Sequence, residues 1–145
     1  MSPLSCIDKL LAARPLSRRA VETALELPLR EDVKNTNPTL RVYRSFRGRA
    51  PIKKVELRVP LHHERIEGVP SSVRTDSFVL IELDESAELV AEESVVERFG
   101  ALRDFGKARA GSPRWREART IRGPVLFGYD PSAEGRLREI VVDAV

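Results

Sequence analysis

The chain offers few side chains with the chemistry of a catalyst. Its only two histidines, His62 and His63, are adjacent. Neighbouring side chains on an extended chain point opposite ways, so the pair is badly placed to ligate one metal. Glu64 and Glu67 stand nearby, but no cysteine completes a tetrahedral zinc set, and no metal or cofactor is expected. Cys6, the single cysteine, falls near the start of a helical pattern, where the helix dipole lowers a thiol pKa. With no histidine close in sequence it reads as a structural residue. Phosphate-cradling glycine loops are absent from the sequence. Gly111-Ser112-Pro113 lacks the flanks of a serine-hydrolase elbow. No two carboxylates are singled out for acid-base work, so the expectation is a chain that is not an enzyme.

What the sequence does concentrate is charge. Residues 1–60 carry 13 Lys/Arg against 6 Asp/Glu, residues 61–100 carry 3 against 10, and residues 101–145 carry 9 against 6. Glu85, Glu88 and Glu92 have helical spacing, as do Glu93 and Glu97, so these five form a carboxylate ridge if one helix carries them all. A ridge of that kind speeds encounter with a basic partner, and it is the expected partner-binding surface. The alternative surface is basic: Arg41, Arg44, Arg47, Arg49, Lys53 and Lys54, with Arg58, on a predicted hairpin that also holds Tyr43 and Phe46. A basic ribbon with aromatics suits nucleic acid. Phe46 shares the face of Leu40 and Val42, however, and is expected in the core.

The elements that position these residues follow from periodicity. Ile7, Leu10 and Leu11 form the apolar stripe of a short helix that Ser5 would cap and Pro15 would stop. Ser17 caps a second, with Val21, Ala24 and Leu25 on its apolar face and Pro28 beyond it. After Asn35-Thr36-Asn37-Pro38, a turn signal, Val55, Leu57 and Val59 alternate with Lys54, Glu56 and Arg58 in the second strand of the hairpin. Residues 61–76 read as a loop. Phe-Val-Leu-Ile-Glu-Leu, residues 78–83, is apolar on both parities and is the expected central strand, covered on both sides over part of its length. A helix over 91–99 ends at Gly100, and 103–113 reads as a basic mobile loop. Strands are predicted over 115–121, 125–129 and 137–142.

The order α-α-β-β-β-α-β-β-β with short links implies an α+β fold in which a mainly antiparallel sheet of about five to six strands carries an N-terminal helical pair and one further helix. At 145 residues, 41% hydrophobic and 32% charged, one domain spanning 1–145 is expected. The single cysteine fits a reducing compartment, and no apolar run approaches the roughly 18 residues of a membrane span. The N-terminus lacks the apolar core of a secretory signal, so a cytoplasmic protein with no membrane partner is expected.

Ser-Val-Val-Glu-Arg-Phe-Gly at 94–100, the basic loop after it, the strand with Trp115, Val-Leu-Phe-Gly-Tyr at 125–129 and Leu-Arg-Glu-Ile-Val-Val at 137–142 form a pattern. Over residues 78–145 it resembles the immunity proteins encoded beside bacterial polymorphic toxins. The same order is similar to the small lipoprotein of the outer-membrane assembly machinery, from which this sequence departs in having no signal or lipobox. The immunity resemblance implies a non-catalytic inhibitor that binds a cognate toxin protein and occludes its active site. It carries no particular interface residue with it. The nucleic-acid alternative rests on the basic hairpin at 41–58.

Overall fold

The apolar parity of the central strand decides where everything else packs. In a computed structural model, which describes residues 3–36, 38, 40–60, 78–85, 90–105, 113–130 and 136–143, the fold is α+β. The elements are α1 (Pro3–Ala12), α2 (Arg18–Leu25), β1 (Leu29–Glu31), β2 (Leu40–Ser45), β3 (Ile52–Pro60), β4 (Phe78–Leu83), α3 (Glu92–Phe99), β5 (Leu102–Asp104), β6 (Arg114–Thr120), β7 (Gly123–Tyr129) and β8 (Leu137–Asp143). The described residues thus contain one antiparallel sheet of eight strands, in the order β1-β2-β3-β4-β8-β7-β6-β5. Two four-strand meanders, each preceded by helix, meet at one seam between β4 and β8, with Phe78 opposite Asp143 and Ile81 opposite Ile140.

Eight strands replace the expected five to six. The two additions, β1 and β5, are three-residue edge strands. Part of the predicted mobile loop is therefore strand, since Arg103 and Asp104 pair with Glu117 and Arg116. Short edges limit the row of unpaired backbone groups that invites aggregation. The loop predicted over 61–76 and the histidines His62 and His63 lie outside the described residues.

One face of the sheet is the core. Across the strands Leu57, Val79, Val142, Val125 and Ala118 stand in one cross-strand row, and Val55, Ile81, Ile140 and Phe127 in the next. All are at most 1% exposed, and they form one cluster with Ile7 and Leu10 of α1, Val21 and Leu25 of α2, and Val95 and Phe99 of α3. The stripe spacing read from the sequence is what places these helical residues on the sheet. Ser17 caps α2 as expected, its hydroxyl accepting from the Ala20 N–H at 3.1 Å. Ser5 does not cap α1, because that helix already starts at Pro3, a residue tolerated in a first turn. The α3 helix ends where Gly100, at φ 96°, donates its N–H to the Val96 carbonyl.

The opposite parity faces away from the helices. Phe78 and Leu80 of β4, Val141 of β8, Leu126 of β7 and Trp115 of β6 are half-buried there. The cover expected on both sides of the central strand is therefore unequal: Val79, Ile81 and Leu83 are buried, while no helix among the described residues packs over Phe78 and Leu80.

Candidate partner-binding surface

The helix-free face is built from the inside out as an apolar row with charged ends. Reading across neighbouring strands, Glu56, Leu80, Val141, Leu126 and Glu117 stand directly opposite one another in turn. At a strand spacing of about 4.8 Å the row is roughly 19 Å long, three aliphatic side chains between two carboxylates. Each carboxylate is held by two guanidiniums. Arg44 donates to Glu56 at 2.6 Å, and Arg58 lies 3.5 Å from it. Arg103 and Arg119 reach Glu117 at 2.6 and 3.1 Å. Burial pushes the Glu117 carboxyl up, but hydrogen bonds from Arg119 and Arg103 outweigh it and hold the group below the usual carboxylate range. Glu117, 6% exposed, is the one charged side chain buried among the described residues.

A second row lies beside the first. Lys54, Glu82, Glu139, Gly128 and Trp115 succeed one another across β3, β4, β8, β7 and β6. The indole lies on Gly128: a Cβ there would come within 3.0 Å of the ring and 3.1 Å of Pro113. A side chain at position 128 would press on the Trp115 indole and Pro113, so glycine leaves the ring room to pack there. Glu82 and Glu139 face each other across the seam that joins the two meanders. Both are half-buried, and among the described residues neither side chain forms an ion pair or hydrogen bond, Lys54 included. Burial, with the Glu82 charge added to it, pushes the Glu139 carboxyl above its usual range, partly offset by Arg138.

That pair makes stability pH-dependent with a definite sign. The folded protein holds the Glu139 proton more tightly than the unfolded chain, so its contribution is full below the unfolded pKa and is lost as pH rises through the folded one. Like charges directly opposed across strands destabilise a sheet. Glu82→Gln is expected to raise stability by about 0.2–1 kcal/mol at pH 7.5 and to change it less at pH 4, where Glu139, its pKa raised, holds its proton. Urea unfolding of both proteins at the two pH values measures this. Glu117 carries the opposite sign: its lowered pKa gives stability that is lost as pH falls.

The structure scatters the carboxylates of the expected ridge. The α3 helix begins at Glu92, so Glu85, in a turn after β4, is not on it, and Glu88 lies outside the described residues. Glu92 turns inward, accepting from Arg114 at 2.7 Å with Arg116 at 3.9 Å. Tyr129, buried beneath this cluster with its hydroxyl unpaired, is pushed up to about 12 by burial and by Glu92. Only Glu93 and Glu97 remain together on the exposed side of α3, flanking Val96.

The basic hairpin divides differently. Arg41 pairs with Glu31, Arg44 with Asp32 and Glu56, and Arg49 with Glu26, which leaves those three neutralised. Arg47, Lys53 and Lys54 make no ion pair among the described residues. Phe46, expected in the core, is 49% exposed because β2 ends at Ser45 before reaching it. The Arg30 guanidinium stands 4.2 Å and that of Arg47 5.9 Å from its ring centre. Arg30 was not recognisable in the sequence, since only the pairing of β1 with β2 brings it to the hairpin. Cys6 is 1% exposed, and burial raises its thiol pKa, overriding the lowering expected at a helix start.

Among the clefts of the described residues, two open at the margins of the sheet. One of about 480 Å³ lies between Asp8, Leu11, Arg98 and Phe99 and the β6–β7 turn, with Arg98 paired to Asp8. Another of about 740 Å³ sits at the end of the sheet among Lys53, Asp84, Asp130, Arg136 and Arg138. Both mix charges of each sign. No group of three or more metal-ligating side chains converges among the described residues, and no described helix is long and apolar enough to cross a membrane. No family model, no curated protein and no solved structure matches the chain.

Proposed function

We propose that the chain is a non-catalytic binding protein that acts in the cytoplasm as an immunity protein, covering the active surface of a cognate toxin with the helix-free face of its sheet. The observation that carries the reading is the Leu80–Val141–Leu126 row, half-buried, central and closed at both ends by ion-paired carboxylates. An apolar centre inside a polar rim is the anatomy of a protein–protein interface. Fixed backbone on both sides of the row also means little ordering on binding, which keeps the entropic cost low. The exposed pair Glu93 and Glu97 adds negative charge on α3 that would speed encounter without being the contact itself.

Co-expression with the product of the adjacent reading frame tests the reading. A stoichiometric complex and rescue of growth are expected, and toxicity undiminished by co-expression would refute it.

The exposed Phe46 between Arg30 and Arg47 supports a second reading, an accessory nucleic-acid-binding domain. Titration with a labelled 20-mer DNA and its RNA counterpart at 50 and 200 mM salt separates the two. A protein-binding module gives only the weak, steeply salt-dependent attachment of any basic surface, in the range of about 10⁻⁴–10⁻⁶ M.

A further inference from the structure

Most carboxylates of the described residues have a cation. Asp8, Glu22, Glu26, Glu31, Asp32, Glu56, Glu92, Asp104, Glu117 and Asp130 are all ion-paired. Glu82 and Glu139 break this pattern in the least favourable place. They are half-buried, they oppose each other across the seam, and the lysine next in their row does not bond to either. Where Glu56 and Glu117 on the same face are each held by two guanidiniums, two facing carboxylates without a cation are an unfavourable feature of the free protein that an incoming cation would relieve. Trp115 stands in the same row two strands from Glu139, its indole packed over the intervening Gly128, and an aromatic ring there is a surface on which a cation can stack. Arg138, on β8 next to Glu139, and Lys54, on β3, are the cations near the pair, and neither makes an ion pair with it.

From this charge complementarity we propose that Glu82, Glu139 and Trp115 anchor one arginine or lysine side chain of the partner protein, whose apolar surroundings settle on the Leu80–Val141–Leu126 row. The inference rests on the binding reading above and names the chemistry of its central contact. A guanidinium fits best, since it can bridge two carboxylates and stack on an aromatic ring at once. The anchor lies in the next row of the same face, two residues or about 7 Å along each strand from the apolar row, beside the centre that dominates an interface.

Trp115 is the chain's single tryptophan, so its fluorescence reports on the site alone. The probe is the capped peptide Ac-Leu-Arg-Leu-NH2, with its uncharged citrulline analogue as control. A saturable change in Trp115 emission with the arginine peptide is expected, at least tenfold weaker with citrulline and at least tenfold weaker in E82Q/E139Q. Equal responses to the two peptides, or an undiminished response in the double variant, would overturn the anchor. The two readings fail separately. If the cognate toxin binds wild type and E82Q/E139Q alike, the anchor falls and the platform stands. If the peptide binds as expected but no toxin complex forms, the platform reading falls instead.

Discussion

Truncating Phe127 to alanine is expected to remove about 3–5 kcal/mol of folding stability, the range for losing a large buried aromatic side chain. Phe127 is fully buried on β7, faces Arg116 and Ile140 on the neighbouring strands, and sets its ring 5.8 Å from that of Phe99 on α3. Its loss opens a cavity at the point where α3 meets the second meander. Backbone hydrogen bonds on both sides keep that cavity from collapsing. For a chain of this length the melting temperature should fall by roughly 6–20 °C. Substituting Val33, 88% exposed, should change stability by no more than about 0.5 kcal/mol. Thermal unfolding followed by circular dichroism compares the two, and a fall of less than about 1 kcal/mol for Phe127→Ala would mean that α3 does not pack as described.

The second large effect concerns the helix-free face. Under the proposed function, Leu80→Lys with Leu126→Lys should weaken the proposed complex with a toxin at least 100-fold, equivalent to about 2.7 kcal/mol or more. The choice of lysine protects the fold. Leu80 stands opposite Glu56 and Leu126 opposite Glu117, so each new ammonium gains a carboxylate across the strand. What it removes is the apolar centre of the surface, and it places two charges where a partner would have to desolvate them. Reversing Glu93 and Glu97 to lysine on α3 should slow association and leave the dissociation rate nearly unchanged, as for charges at a rim. Surface plasmon resonance resolves the two rates. An unchanged dissociation rate in the double lysine variant would move the interface elsewhere.

Much of the architecture could be read in the residues themselves. Alternation fixes β3, the apolar stripes fix α1 and α2, and Gly100 marks the end of α3. The strands β1 and β5 could not be read, because three residues are too few to show a period of two. Parity alone puts Phe46 in the core, and parity has no meaning past Ser45, where β2 ends one residue before it. The acidic ridge required one helix from Glu85 to Glu97, whereas α3 starts at Glu92 and gives that carboxylate to Arg114, 22 residues later. Glu82 and Glu139 are far apart in sequence and meet only through the register of β4 with β8. No local pattern marks such a pair. The one sequence signal of the helix-free face is the apolar character of Phe78–Leu83 on both parities, which a buried strand and a half-open one share.

The most direct test of the proposed function is isothermal titration of the product of the adjacent reading frame, the proposed toxin, with the wild-type chain and with Leu80→Lys/Leu126→Lys, after both have been shown to unfold at similar urea concentrations. One-to-one binding by the wild type, and a loss of at least 100-fold in the variant, is the result expected if the sheet face is the docking surface. Equal affinity for the two proteins would contradict it.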